Sequence, residues 1–169
     1  MIVTNTDSMI QFHFFFGKES PLSNWHPAGF WLKHIWFDCV EQAMMYSKAK
    51  LFNDDKKANQ ILATSIPAEH KILGREVQGY VEQEWVARRE HYVYMACLAK
   101  FTQNPNAAAY LRSTGNCELV EASPYDKIWG IGIGEGDIRI LDRKNWRGQN
   151  LLGKVLMRVR DELINKGVI

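Results

Sequence analysis

The spacing of hydrophobic residues changes along the chain and marks out its helices. Apolar residues three or four positions apart predict helices over residues 82–101 and 150–166, because one face of a helix repeats every 3.6 residues. Boundary residues such as Asp38, an expected N-cap, and Pro67, at a first helical turn, predict shorter helices. These shorter helices cover residues 38–52, 56–63, 67–74 and 104–113.

Short strands are predicted at three places. Residues 10–16 are rich in Phe and predict a buried strand, residues 29–37 alternate aromatic and polar side chains as in a hairpin, and residues 117–122 predict a further strand. The expected fold class is α+β, a single domain that is mostly helical around a small β-sheet. This domain is expected to cover residues 10–167, after a flexible N-terminus at residues 1–9.

Composition narrows the class of protein. The chain has 169 residues and a formal charge of +2, which does not demand nucleic acid as a partner. Its three cysteines form no CxxC pair and no HExxH motif is present, so neither a metal nor a cofactor is expected. Because the chain has no signal-peptide pattern and no apolar run of bilayer length, we expect a cytoplasmic protein without membrane association. The oligomeric state is not readable from the sequence.

The helix predicted over residues 38–52 carries the most informative pair of polar residues. Glu41 and Lys48 are seven residues apart, almost two full turns, so both side chains emerge on the same face. Met44 and Met45 lie between them on that face. A carboxylate and an ammonium along a methionine-lined stripe are either a satisfied ion pair or a reaction centre, and the spacing alone leaves both open.

The long segment over residues 123–149 is the second candidate for chemistry, because a loop of this length in a compact domain is usually functional. After Trp129, glycine occupies every second position up to residue 136, and such glycines let backbone amides approach a phosphate or ribose closely. Asp126, three residues before Trp129, adds a carboxylate beside an indole, which suits a heterocycle next to a sugar. A flexible turn, an irregular strand and packed core tryptophans are the structural alternatives.

Basic residues in two places are candidate phosphate contacts. Those in the long segment are interleaved with acidic residues, so local ion pairs are the alternative. Arg75, directly after Gly74, could clamp a phosphate with its guanidinium group or pair with Glu76 or Glu118. The basic residues of the long segment are Arg139, Arg143, Lys144 and Arg147.

Several separated strings, taken in order, resemble one known family. They are Pro21 to Trp25, Glu41-Gln-Ala with Lys48-Ala, Gly74-Arg75, Trp85, Lys100-Phe101, Leu119 to Ser123, Asp126 with Trp129, Gly130 and Gly132, and Trp146 with Gly148, Asn150, Gly153, Met157 and Arg160. On these motifs, over about residues 14–163, the chain is similar to the YbiA-like proteins of the NADAR (NAD and ADP-ribose) family. It departs from the family's plainer, glycine-containing turn at residues 30–34.

The resemblance implies an α+β fold and N-glycosidase chemistry, which cleaves the bond between ribose and a base-like nitrogen. One branch of the family acts on phosphorylated ribosylaminopyrimidinone intermediates of riboflavin biosynthesis, and another removes ADP-ribose from modified guanine in nucleic acids. The expected partners are therefore a substrate containing ribose phosphate or ADP-ribose, and ADP-ribosylated DNA or RNA. The alternatives are a non-catalytic ADP-ribose or NAD binding module and an NAD glycohydrolase.

Individual roles are assigned on the charge that develops when a ribosyl bond breaks. Glu41 is predicted to stabilise positive charge at the anomeric carbon, with Asp126 as water-activating base or ribose anchor. Lys48 is predicted either to protonate the leaving nitrogen or to attack as a neutral amine through a Schiff base. Substrate binding, with Trp85 and Trp129 stacking on the base, is predicted for Ser23, Asn24, Gly74, Arg75, Trp85, Trp129, Gly130, Gly132, Trp146 and Asn150.

Overall fold

The computed structural model describes residues 2–4 and 11–169. The chain divides into a central unit, Asn24–Asn104, and a terminal unit made of Met1–Ser23 with Pro105–Ile169. In chain order the elements are β1 (Ile2–Thr4), β2 (Gln11–Phe15), β3 (Phe30–Leu32), β4 (Ile35–Phe37), α1 (Val40–Leu51), α2 (Asp55–Leu62), α3 (Pro67–Arg75), α4 (Glu82–Gln103), α5 (Pro105–Ser113), β5 (Glu118–Glu121) and α6 (Leu151–Asn165).

The predicted α+β class, with helices outnumbering short strands, is confirmed by this element order. The flexible N-terminus expected at residues 1–9 lies outside the described residues apart from β1. That segment and the single domain over residues 10–167 stay predictions.

Helix α1 is the centre of the central unit and packs against α2, α3 and α4. Most of its first half is buried, polar residues included. Gln42 shows how a buried amide is accommodated there: its Nε2 donates to the carbonyls of Ile61 and Thr64 at 3.1 and 2.9 Å. Gly74 of α3 lies so close to α1 that an added Cβ would be 2.0 Å from the Met45 sulfur. Any larger residue at position 74 would therefore force the Met45 side chain to shift.

Among the four helices of the central unit, all within the described residues, only α2 has a side-chain cap at its first turn. Asp54 provides this cap by accepting from the Lys57 amide at 3.0 Å. The prediction that Asp38 caps α1 is wrong, because the N-cap is Cys39 and no side chain caps the helix there. The Asp38 carboxylate instead accepts from the Trp36 indole nitrogen at 2.9 Å. Asp38 is therefore one position before the N-cap, and its carboxylate contacts the hairpin instead of the first turn of α1.

The predicted hairpin is confirmed in β3 and β4, which pair with Trp31 opposite Trp36. The two turn residues, Lys33 and His34, have φ values of 49° and 66°. Positive φ at both central residues is the geometry of a type I′ turn, whose twist matches that of the flanking strands. The chain adopts it here without glycine at either position.

The terminal unit is built on a three-stranded sheet in the order β1-β2-β5. Strand β2 runs antiparallel to β1 and parallel to β5. Helix α6 packs on β5, and Gly153 makes this possible because an added Cβ would lie 2.0 Å from the Leu119 carbonyl oxygen. The buried side chains of this core are Phe12, Phe14, Val120, Ala122, Ile131, Ile133 and Ile140.

The segment over residues 123–149 is loop-rich, as predicted, but it also contains two short 3₁₀ helices, Ile138–Leu141 and Arg143–Asn145. It supplies Ile131, Ile133 and Ile140 to the core of the terminal unit. The segment is thus fixed by burial. Among the residues that the structure describes, no helix is long and apolar enough to cross a membrane.

Candidate active site

Lys48 lies in a pocket of main-chain oxygen and aromatic rings, here called the Lys48 cradle (Lys48, Gly74, Arg75, Tyr80 and Trp85). The Lys48 ammonium donates to the Gly74 carbonyl at 2.7 Å. It lies 4.3 Å from the centre of the Tyr80 ring and 5.9 Å from that of Trp85, both within the range of cation–π attraction. Four predicted site residues, Lys48, Gly74, Arg75 and Trp85, are thus brought together within the central unit.

Electrostatics make the Lys48 amine unusual. Burial lowers its pKa from the ordinary value, and the nearby positive charge of Arg75 lowers it further. Arg75 itself is exposed, and within the described residues no carboxylate lies within ion-pairing distance of it. The alternative partners considered from the sequence are engaged elsewhere: Glu76 pairs with Lys57 at 2.8 Å, and Glu118 pairs with Arg143. The Arg75 guanidinium is therefore available to a ligand.

Glu41 lies on the same helix face but is not the ion-pair partner of Lys48. A rise of about 1.5 Å per residue separates the two Cα atoms by about 10.5 Å along α1. The contacts of the Lys48 ammonium are instead a carbonyl and two rings. Glu41 is buried near the start of α1, and its amide donates to the Asn24 carbonyl at 2.9 Å. The Glu41 carboxyl group and the Lys48 amine therefore lie one after the other along one face of α1, without pairing with each other.

Asn24, a predicted ribose contact, has a polar atom that the fold does not use. Its side chain is buried, and among the described residues nothing hydrogen-bonds to its Oδ1. Buried polar atoms almost always have a partner, so an exception calls for an explanation. A ligand hydroxyl or amide is one such partner.

The predicted site residues of the terminal unit form a tight turn. Asp126 Oδ1 accepts from the amides of Ile128 and Trp129, both at 2.8 Å. Ser123 Oγ accepts from the Asp126 amide at 3.1 Å. Gly130 fits inside this turn only because it lacks a side chain, since an added Cβ would lie 2.9 Å from the Ser123 Cβ. The structure therefore brings Asp126, Trp129 and Gly130 together in a turn held by hydrogen bonds from main-chain amides to the side chains of Asp126 and Ser123.

Four other predicted binding residues lie in the terminal unit, where their hydrogen bonds, backbone angles or burial are defined. Asn150 has φ 52°. Its side-chain oxygen accepts from the Glu121 backbone amide at 3.1 Å, and its side-chain nitrogen donates to the Leu119 carbonyl at 2.9 Å. The indole of Trp146 donates to the Ile140 carbonyl at 2.8 Å. Gly132, with φ 70°, continues the Asp126 turn, and Ser23 is buried. Their substrate contacts stay predictions.

The basic residues of the long segment are partly neutralised. Arg139 forms a forked ion pair with Asp137, with an N–O distance of 2.6 Å, and holds the pKa of that carboxyl at about 2. Arg143 pairs with Glu118. Arg139 and Arg143 therefore form local ion pairs, the alternative to phosphate binding. Lys144 and Arg147 are exposed.

Tyr80 is the member of the cradle that sequence reasoning missed. It lies in the connection between α3 and α4, where no periodicity marks it. The sequence signal was the turn at Gly79, which has φ 69° and places the next residue beside α1. Within the described residues, no group of three or more His, Cys, Asp or Glu side chains is arranged to hold a metal ion.

Comparison with known proteins places these residues in a family. The sequence model of the NADAR domain matches residues 14–164. This chain belongs to the NADAR family. It is 39% identical to Protein irg-1 of Caenorhabditis elegans, across 96% of this chain and 84% of that protein. It is 42% identical to the N-glycosidase R617 of Acanthamoeba polyphaga mimivirus, across 73% of this chain and 72% of that one.

A solved structure supports the fold. The NMR structure of the E. coli protein YbiA matches with a TM-score of 0.76 at 24% identity, covering 93% of this chain and 87% of that one. At this identity the likeness shows the fold alone. The family suggested by the sequence motifs is confirmed, and with it the predicted class of enzyme, a hydrolase acting on N-glycosyl bonds.

Proposed function

We propose that this protein hydrolyses the C–N bond between a ribose and a base-like nitrogen, using Lys48 and Glu41. The observation that carries the proposal is the Lys48 cradle, in which burial and Arg75 lower the pKa of an amine held against a carbonyl and two rings. A purely binding module would need no amine with altered basicity. We also propose a cytoplasmic location, since the three cysteines are buried free thiols.

Glu41 is proposed to stabilise the positive charge that builds on the anomeric carbon. Bond cleavage in glycosides passes through an oxocarbenium-like state that a nearby carboxylate stabilises. The carboxylate of Glu41 is buried, and charges interact more strongly there than in water. Asn24, with its unused Oδ1, is proposed to bind a ribose hydroxyl, and Arg75 a phosphate. The roles of Asp126, Trp129, Gly130 and Gly132, in the terminal unit, stay predictions.

Lys48 offers two chemical routes. As an ammonium it donates a proton to the leaving nitrogen, and water attacks the anomeric carbon. As a neutral amine it attacks that carbon while the base leaves with the bonding pair and takes a proton. The ring then opens to a Schiff base, and water hydrolyses this adduct to release lysine and ribose aldehyde. The lowered pKa supports the amine route, because it increases the neutral fraction.

The two routes have opposite pH dependence. The amine route becomes faster as pH rises toward the lowered pKa of Lys48, whereas the proton-donor route becomes slower. Borohydride added during turnover would reduce a Schiff base to a stable adduct on Lys48, visible by peptide mass spectrometry. Turnover without any trapped adduct would count against the amine route while leaving the hydrolase proposal intact.

Two substrate classes are proposed, ADP-ribosylated guanine in nucleic acid and phosphorylated ribosylaminopyrimidinone. A turnover assay by mass spectrometry would offer both, together with NAD, to the wild type and to Glu41→Gln. We expect release of a free base from one of them, reduced roughly 10²–10⁴-fold in the variant. Binding of ADP-ribose without turnover of any substrate would instead identify a binding module, and release of nicotinamide would identify an NAD glycohydrolase.

A further inference from the structure

The β3–β4 hairpin of the central unit carries two indoles that face solvent. Trp31 is 58% exposed and Trp36 is 46% exposed. They are cross-strand neighbours with ring centroids 5.5 Å apart, whereas the next pair along the strands, Phe30 and Phe37, is buried. Residues Phe30–Phe37 are here called the tryptophan hairpin. Its exposed face concentrates large aromatic surface that the fold leaves uncovered, which marks an interaction site.

The backbone at Trp31 and the indole of Trp36 are held in place before any ligand arrives. The side-chain amide of Gln103 fixes the backbone of Trp31 by accepting from its main-chain N–H and donating to its main-chain carbonyl, both at 2.8 Å. The Trp36 indole donates to Asp38 and lies so close to Gly29 that an added Cβ there would be 2.1 Å from the ring. Aromatic contacts that are already ordered lose little conformational entropy on binding.

The positive charge at the tip of the tryptophan hairpin indicates which class of ligand this aromatic surface binds. The turn residues Lys33 and His34 are both exposed, and the acidic group nearest in sequence, Asp38, accepts from the Trp36 indole. Exposed aromatic rings beside a cation match the two parts of a nucleotide, since bases stack on indoles and phosphates are attracted to lysine. An apolar peptide would gain nothing from the lysine.

We propose that the tryptophan hairpin binds single-stranded nucleic acid, with bases stacked on Trp31 and Trp36 and a backbone phosphate on Lys33. The ligand is an unmodified strand, so this surface goes beyond the ribosyl hydrolysis proposed above and does not require it. Where both proposals hold, the tryptophan hairpin binds the strand that flanks a modified base. Such binding favours ADP-ribosylated nucleic acid as the substrate over the small phosphorylated ribosylaminopyrimidinone.

The test is fluorescence anisotropy with a labelled single strand of about 12 nucleotides, within the usual footprint of stacking proteins. The catalytically impaired variant Lys48→Met would be titrated beside the wild type, so that loss of hydrolysis and loss of binding are read separately. Trp31→Ala is expected to weaken binding about 5- to 150-fold, the range for one stacked base, and Trp31→Tyr to restore most of it. Tyr125→Ala, at an aromatic residue 89% exposed in the terminal unit, is the matched control and should bind normally.

The contribution of Lys33 has its own signature. Lys33→Asn removes the charge with a residue that tolerates positive φ. We expect it to reduce the dependence of log affinity on log salt concentration by about 0.7, the value for one phosphate contact on a single strand. Lys56→Gln, at an exposed lysine of α2, should leave that slope unchanged.

Three results would overturn the proposal. The first is an absence of single-strand binding by the wild type. The second is binding that Trp31→Ala leaves intact. The third is concentration-dependent self-association of the wild type that Trp31→Ala abolishes, without strand binding, which would show that a second copy covers this face. Circular dichroism of each variant confirms that a loss of binding is not a loss of fold.

Discussion

The polar side chains predicted for catalysis and binding differ between the two units in how fully the fold satisfies their hydrogen bonds. In the central unit, the Lys48 amine rests on one carbonyl and two rings, and the Asn24 Oδ1 has no partner among the described residues. In the terminal unit, Asp126 and Asn150 are each bonded to two main-chain groups. The same kind of residue is available for chemistry in one unit and already used by the fold in the other.

This difference predicts two kinds of mutational response. A side chain that completes main-chain hydrogen bonds stabilises the fold, so its removal costs stability. A side chain held with altered basicity is maintained at some cost to stability, and its removal costs activity instead. Measuring stability and turnover for each variant therefore tests the comparison directly.

The largest effect is expected at Lys48. Lys48→Met should reduce turnover roughly 10²–10⁴-fold, the contribution typical of a proton-transfer group, while the variant stays folded. Lys50→Met on the same helix, where the lysine is exposed and pairs with Asp55, is the control and should keep full activity. Equal turnover by both variants would remove Lys48 from the mechanism.

A packing change should reveal the tight fold of the long segment. Gly148→Ala places a Cβ 2.3 Å from the Gly130 carbonyl oxygen, so we expect destabilisation of about 1–3 kcal/mol from overpacking. Gly136→Ala, in the same segment, has nothing within 4 Å of the new Cβ and should be nearly neutral. Urea denaturation of the two variants measures the difference. Equal midpoints would mean that the segment yields easily, contrary to its buried contacts.

Two variants of Asp126 separate structure from charge. Asp126→Ala removes the acceptor for two amides and should cost about 1 kcal/mol of stability, whereas Asp126→Asn keeps an acceptor oxygen and should cost less. Thermal unfolding gives the stabilities. A folded Asp126→Asn with a large loss of turnover would support the predicted catalytic role. Full turnover would assign Asp126 to the turn alone.

A separate effect is expected in the pH dependence of stability. Lys100 is buried in α4, and burial lowers its pKa from 10.5 to about 8. Between these values the unfolded chain holds a proton that the folded chain has lost, so this lysine makes stability rise with pH across that window. Unfolding at about pH 7 and about pH 10 should therefore show a larger upward change for the wild type than for Lys100→Met. The same change in both would contradict this assignment.

Sequence reasoning recovered the elements whose information is local. Pro67 began a helix as expected, because a first turn depends on nearby atoms. Asp38 failed as a cap because α1 begins one residue later than predicted, and its carboxylate instead accepts from the Trp36 indole, a contact that depends on the hairpin geometry. Tyr80 was missed for a similar reason, since only the folded chain places it over Lys48.

The candidate site was predicted less completely than the fold. Residue spacing placed Glu41 and Lys48 on one helix face, and the family resemblance added Gly74 and Trp85. Neither could show that Lys48 binds a carbonyl and is not paired with Glu41, because that depends on how α3 packs on α1. The two amide bonds of Asn150 to β5 likewise join residues about thirty positions apart in the chain.

The position of Gly74 in α3 has an electrostatic consequence. Gly74 lies in the last turn of the helix, where carbonyls lack an intrahelical partner and the helix dipole concentrates partial negative charge. Lys48 therefore binds the negative pole of a helix, an arrangement that favours its protonated form. Burial and Arg75 act in the other direction. The length of α3 is thus a control on the basicity of the amine, and one added turn would move that pole away from it.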